Sequence, residues 1–313
     1  MLPLLRSMAE LASVLRRRRM ARGSLDLETR EVYIHCNPAG APVDVSTRTQ
    51  GVSESLIEEF MLCANETVAR HLSDRKLPGV YRVHEKPSGD KTEALRALVG
   101  PLGYNLPDSD SFTLQKILRQ AEGKPEQPLI HMLVLRSLMK ARYDPENLGH
   151  FGLAAPYYCH FTSPIRRYPD LMVHRCLSAA LSGAPLKKLA SAAGKAAVHS
   201  SERELAAAAA EREIEKCYLA EYMQGHIGEE FDAMVSGVTR FGLFVALRNG
   251  VEGFLPASAL PGGDLSFDET RMTLTAGGGR TRYTFGQALR VVCVSADPAA
   301  GQVDFRLTGS ERA

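Results

Sequence analysis

Cysteine is sparse and scattered in this chain: six residues among 313, Cys36, Cys63, Cys159, Cys176, Cys217 and Cys293, with no CxxC pair. That spacing argues against a zinc knuckle and against a disulfide framework, and it suits a reducing cytoplasm. Long apolar runs are missing too. No stretch reaches the roughly 18 residues that suggest a membrane span, and the opening MLPLLRSMAELASVLRRRR has no small-residue cleavage site, so the chain reads as soluble and unexported. There is no surplus of either charge, with a net charge of +2 and 24% charged residues. Affinity for nucleic acid therefore has to come from local clustering rather than from a generally basic surface. No internal repeat of solenoid length is visible. What remains is ordinary globular usage, 44% hydrophobic, in a chain long enough for a large core and a second module.

Against that background the stretch Tyr157 to Arg175, YYCHFTSPIRRYPDLMVHR, stands out, because it crowds cationic, hydroxyl and aromatic side chains around two prolines. Thr162 or Ser163 can cap a following turn, and Pro164 suits a first helical position. Pro169 cannot continue that turn as a regular helix, having no amide proton. A single turn followed by a new helix at Pro169 is expected. The break places Arg166 and Arg167 at a kink, where a planar guanidinium can grip phosphate oxygens in bidentate fashion. Internal pairing of Arg166 with Asp170, with Ser163 capping, is an equally open reading of the same residues.

Along the chain, Leu5, Met8, Leu11 or Ala12, and Leu15 recur at helical spacing and lead into the run Arg16 to Arg19. These cations either complement a helix C-terminus or contact nucleic acid. Residues from about Leu25 to Val45 read as short strands broken by Asn37-Pro38 and Ala39-Gly40, and a helix begins at Ser53. Further helices are expected near Lys91 to Leu98, Phe112 to Ala121 and Pro128 to Ala141, and a long one over SSERELAAAAAEREIEKCYLAEYM. From about Gly228 the pattern changes to alternating apolar residues with Asn-Gly and Ala-Gly turns, which predicts a small antiparallel barrel whose halves are separated by a loop from Pro261 to Arg282. The expected fold class is thus α+β, a mostly helical domain over residues 1–226 followed by a five-stranded OB-like barrel over 227–313.

SPIRRYPDL with its flanking HF and HR, PENLGHFGLA upstream, YRVHEKP at 81 to 87 and IEEFMLCAN at 57 to 65 together resemble the RNase II (RNB) exoribonucleases, in particular the C-terminal part of their RNase R-type members. The closing barrel resembles an S1 RNA-binding domain through GEEFDAMVSGVTRFGLFVAL and GVEGFLPASAL. The resemblance implies a 3′-to-5′ exoribonuclease that hydrolyses RNA processively to nucleoside 5′-monophosphates with Mg2+, by metal-assisted phosphoryl transfer. It implies that Arg166 stabilises charge developing on the phosphate, that Glu211 lies near the terminal nucleotide, and that Glu58 contacts the bound RNA end. Arg167 and Tyr168 accompany them in RNA binding.

In the barrel the resemblance points to Phe231, Phe241 and Phe244 as stacking platform, with Arg240 or Arg306 near phosphates; alternation also allows some of these rings to fill the core. Two departures from the family pattern follow. Leu27 stands where RNase II carries a stacking phenylalanine. The family's metal-binding aspartates belong upstream of Met1, and Asp108 and Asp110 in PDSDSF read as a helix cap rather than as a substitute magnesium site. The chain is therefore expected to hold no metal ligands, to be inactive alone, and to regain activity when the missing N-terminal portion is supplied, whether that portion belongs to the same gene or to a separate polypeptide. A non-catalytic single-stranded RNA-binding relative is the alternative.

Overall fold

In this computed structural model the described residues are 2–27, 31–48, 50–124, 126–263, 265–269, 271–278 and 281–309. In chain order the elements are α1 Leu2–Ala21, β1 Glu31–Cys36, β2 Pro42–Arg48, α2 Val52–Asp74, β3 Tyr81–Val83, α3 Gly89–Val99, α4 Ser111–Ala121, α5 Gln127–Ser137, β4 Arg142–Asp144, α6 Tyr168–Leu181 and α7 Lys187–Gln224. The strands that follow are β5 Glu230–Thr239, β6 Gly242–Leu247, β7 Glu252–Pro256, β8 Ser266–Asp268, β9 Thr273–Ala276, β10 Thr281–Thr284, β11 Ala288–Asp297 and β12 Gln302–Leu307. The chain divides into two compact units, one of residues 1–27, 50–122 and 130–207, the other of 28–49, 123–129 and 208–313.

The first unit is mainly helical. α2 opens on Gly51, where the Glu54 side chain reaches back to accept the Gly51 amide at 3.1 Å, satisfying a donor that a helix start leaves free. Leu72, Val80, Val83, Met172, Val173 and Ala197 pack into one core in which α2, β3, α6 and α7 meet. At the basic end of α1 the cations divide: Arg17 and Arg18 are exposed, whereas Arg16, Arg19 and Arg22 pair with carboxylates. Arg19 is buried and its Nη2 donates to Glu59 Oε1 at 2.5 Å and its Nη1 to Ser24 Oγ at 2.9 Å. Arg16 pairs with Asp26 at 2.6 Å, and Arg22 grips Glu66 with two nitrogens, at 2.7 and 3.0 Å. Burial alone would lower the Arg19 pKa, but the hydrogen bond to Glu59 and that carboxylate's charge outweigh it, and the net shift is upward.

The second unit is a closed barrel in the order β11-β12-β7-β6-β5, antiparallel except for the parallel contact of β12 with β7. Its interior holds Val235, Leu243, Val245, Leu255, Val291 and Phe305. Gly253 is required there, since a Cβ would sit 2.4 Å from the Phe305 ring and 2.6 Å from the Val303 carbonyl oxygen. The hairpin β1-β2 belongs to this unit and inserts Val45 into the same core. Its turn is tied by Asn37 Oδ1, which accepts the amides of Ala39 at 2.9 Å and Ala41 at 3.1 Å.

Three expectations from the sequence need correction. The stretch from Pro261 to Arg282 is not a plain loop: it supplies β8 and β9, which with β10 form a separate three-stranded sheet. Leu274, Ala276 and Tyr283 of that sheet are buried with the barrel core, and the high glycine content hid this apolar contribution. The long helix starts at Lys187 rather than near Ser200, and α5 stops at Ser137 rather than at Ala141. The mixed architecture and the five-stranded barrel agree with the α+β class.

Candidate nucleic-acid interface

The arginine segment is held from both sides before it turns. Tyr81 bridges Cys159, and the Arg82 amide donates to the Tyr158 carbonyl at 3.0 Å, so residues 158 and 159 continue the edge of the β3-β4 pair. Asn65, buried on α2, accepts the Phe161 amide at 3.0 Å with Oδ1 and donates to the Tyr158 hydroxyl at 3.2 Å with Nδ2. His174 of α6 stacks on the Phe161 ring, centroids 4.1 Å apart, and its Nε2 lies 2.9 Å from the Phe161 carbonyl oxygen.

The chain then makes the single turn expected from its prolines. The amides of Arg166 and Arg167 both donate to the Ser163 carbonyl, at 3.3 and 3.0 Å, and α6 begins at Tyr168 with Pro169 in its first turn. Asp170 is fully buried; its Oδ1 accepts the Ser163 amide at 2.8 Å and Arg167 Nη2 at 2.8 Å. The internal ion pair therefore belongs to Arg167, not to Arg166. The i,i+4 rule that suggested Arg166 applies within a continuous helix, and here the helix starts only after both arginines. Arg166 is exposed, and Ile165 beside it is 98% exposed at the outer edge of the turn.

Arg167 also borders a groove of about 640 Å³, a size that suits a nucleotide-scale ligand. Ile57, Met61 and Leu62 of α2 give it an apolar wall, Glu54 and Glu58 a pair of carboxylates, and Asn65 and Tyr158 a polar floor. Glu58 accepts Gln50 Nε2 at 2.6 Å. Beneath this region lie His84, His150, Tyr158, His160 and Tyr143, successive rings in edge-to-face contact at 5.0 to 5.8 Å. Burial pushes His160 down to about 3, helped by the charges of Arg167 and Arg82 and, less, by His150 and Arg166. Burial likewise pushes His150 down to about 3, with His84 and Arg82 adding to it. The imidazoles are neutral near pH 7, so the positive charge of the segment resides on guanidinium groups that do not titrate there.

The other residues singled out in the sequence are placed as follows. Tyr168 is exposed at the start of α6, and Leu27 is half-buried. Glu211 is exposed on the part of α7 that belongs to the second unit. Asp110 caps α4, its Oδ1 accepting the amides of Phe112 at 2.6 Å and Thr113 at 3.0 Å, while Asp108 Oδ1 accepts the Asp110 amide at 3.1 Å and the Thr113 hydroxyl at 2.7 Å. Among the described residues no group of three or more His, Cys, Asp or Glu side chains is placed to hold a metal ion.

On the barrel, Phe241 is 64% exposed with the Arg240 guanidinium 4.5 Å from its ring centroid, and Phe244 is 40% exposed. Phe231 is half-buried and packs against the barrel core. Arg306 is partly buried, and its Nε has no hydrogen-bond partner. Sequence reasoning missed Phe254, which pairs with Phe244 across β6 and β7 with ring centroids 5.2 Å apart. The alternation in GVEGFLP was the available signal, since buried Gly253 and Leu255 flank it and turn Phe254 outward. Asn65 and Tyr158 were missed as well; both act through contacts more than ninety positions apart in the chain, which no local pattern displays.

A helical unit offering an arginine turn over a nucleotide-sized groove, with a five-stranded barrel bearing exposed aromatics, defines a class of nucleic-acid-handling protein. The chain matches the RNB domain over residues 3–183 and the S1 RNA binding domain over residues 226–303. It belongs to the RNB family. Ribonuclease R 1 of Lactococcus lactis is 39% identical over 97% of this chain and 38% of its own length, and Ribonuclease R of Aquifex aeolicus is 40% identical over 97% and 44%. The structure of Mycoplasma genitalium RNase R in complex with ribose methylated single-stranded RNA superposes with a TM-score of 0.90 at 28% identity, covering 97% of this chain and 49% of that one. The chain thus spans about two fifths of the length of these curated relatives. Among the described residues no helix is long and apolar enough to cross a membrane.

Proposed function

We propose that this chain carries the RNA-end-binding part and the S1 barrel of a 3′-to-5′ exoribonuclease of the RNase R type, a cytoplasmic enzyme that hydrolyses RNA processively to nucleoside 5′-monophosphates. The observation that carries the reading is Arg166, exposed on a turn anchored by Asn65, His174 and Asp170, one residue from the groove that Arg167 and Glu58 line. A charge fixed in place before the ligand arrives stabilises a developing phosphate anion without reorganisation. In this reading Glu58 meets the ribose of the RNA end, Ile57 and Met61 cover a base, Tyr168 and Arg167 border the strand, and Glu211 lies near the terminal nucleotide. The barrel, taken as residues 227–313 after an RNB portion of 1–226, holds incoming single strand on Phe241, Phe244 and Phe254, with Arg240 and Arg306 toward phosphates. The complex of the Mycoplasma relative with single-stranded RNA supports that substrate class.

Magnesium is the cation the family's chemistry implies, and the residues present do not fit it. Asp108 and Asp110 are engaged in capping, and no group of three or more His, Cys, Asp or Glu side chains gathers among the described residues. The 313-residue chain by itself is therefore expected to be inactive. The same absence of a ligand cluster favours a second reading, an RNA-binding relative that does no chemistry. The test is degradation of 5′-labelled single-stranded RNA in magnesium by the purified chain, alone and with the N-terminal half of a related RNase R added in trans, with Arg166→Ala as control. Stepwise shortening only in the mixture, lost in Arg166→Ala, is the expected result. Shortening by the chain alone would overturn the expected inactivity, and binding without cleavage in every mixture would favour the second reading.

A further inference from the structure

On the reading that Arg166 meets phosphate, we propose that Asp170 is the positioning residue of the arginine turn: its carboxylate fastens the turn's entry and Arg167 to one point and so fixes the direction in which Arg166 is presented. Oδ1 accepts both the Ser163 amide and Arg167 Nη2, each at 2.8 Å, and Asp170 is fully buried. Ser163 is also the residue whose carbonyl holds the amides of Arg166 and Arg167, at 3.3 and 3.0 Å. One carboxylate oxygen therefore fixes both ends of the segment that contains Arg166.

Three polar atoms in this short stretch, Thr162 Oγ1, Arg167 Nε and Asp170 Oδ2, are buried without a hydrogen-bond partner. Burying a carboxylate with one oxygen unbonded is unfavourable, and a hydrophobic residue of similar volume would hold a merely structural turn at lower cost. The charge is explained by what it restrains. An ion pair between a buried carboxylate and a partly exposed guanidinium leaves the rest of Arg167 at the groove while preventing it from swinging into the place of Arg166. It also removes Arg167 as a competitor for the same phosphate position.

Two measurements on the 313-residue chain test this. The first is nuclear magnetic resonance of the Ser163 amide and the Arg167 guanidinium. Asp170→Asn is expected to abolish the restricted rotation of the guanidinium and to speed exchange of the Ser163 amide, with the remaining spectrum dispersed as in the native protein. The second is the affinity for adenosine 5′-monophosphate. Arg166→Ala is expected to weaken binding about tenfold, as loss of one charge-assisted contact does, and to have less than about a twofold effect when Asp170→Asn is already present. If Arg166→Ala costs the same in both backgrounds, Asp170 does no positioning and the inference falls. If Arg166→Ala has no effect in the native protein, the assignment of Arg166 to phosphate falls instead, and the resonance signals alone decide Asp170. Should Asp170→Asn fail to fold, Arg167→Gln breaks the same contact from the exposed side and enters the same cycle.

Discussion

Arg19 and its neighbours separate what a cationic side chain does from how the sequence displays it. Four consecutive arginines look alike in the chain, yet Arg19 is buried against Glu59 whereas Arg17 and Arg18 are exposed. Removing one partner of a buried ion pair leaves the other charged and desolvated, at a cost of about 3–5 kcal/mol. Arg19→Ala is therefore expected to lower the unfolding free energy by about 3 kcal/mol or more, read from denaturant titration. Arg17→Ala should change it by less than about 0.5 kcal/mol, as surface substitutions do. Equal effects at the two positions would refute the ion pair as a structural tie between α1 and α2.

At the scale of elements, strand alternation sorts the barrel phenylalanines. Phe305 points inward and is fully buried, Phe231 packs on the core, Phe244 and Phe254 take outward positions on β6 and β7, and Phe241 is exposed in the turn between β5 and β6. Base stacking on an exposed ring contributes about 1–3 kcal/mol by alanine substitution. Phe244→Ala is expected to weaken single-stranded RNA binding by that amount at constant melting temperature, measured by fluorescence anisotropy at fixed salt. Phe305→Ala should instead destabilise the barrel by about 3–5 kcal/mol. RNA affinity unchanged in Phe244→Ala would remove this face from the proposed path. The strand pattern revealed the barrel itself, but not the β8-β10 sheet, because its glycine-rich turns mask apolar positions that matter only once the sheet lies on the core.

For the whole molecule, the buried imidazoles set a pH dependence. His150 and His160 titrate near 3 in the folded protein against an ordinary value of 6.5. The unfolded chain thus binds more protons between those values, so the stability these groups contribute is fully present above about pH 6.5 and is lost as the pH falls toward 3. The unfolding free energy is expected to decline already between pH 6.5 and 5, before most carboxylates titrate. His160→Phe should flatten that decline. A stability flat across this interval would show that the imidazoles are solvated rather than buried.

Sequence alone determined the order of the parts: a basic turn broken by two prolines, a long alanine-rich helix, and a closing barrel with alternating strands. Each is written in local rules, namely the missing amide of proline, helix propensity and a period of two. Only the tertiary structure decided which charges are free. Arg167 rather than Arg166 meets Asp170, Arg19 meets Glu59 across forty positions, and Asn65 reaches Phe161 across ninety-six. An ion pair or hydrogen bond forms where folding brings groups within about 3 Å, and that proximity is a property of packed elements rather than of residue spacing.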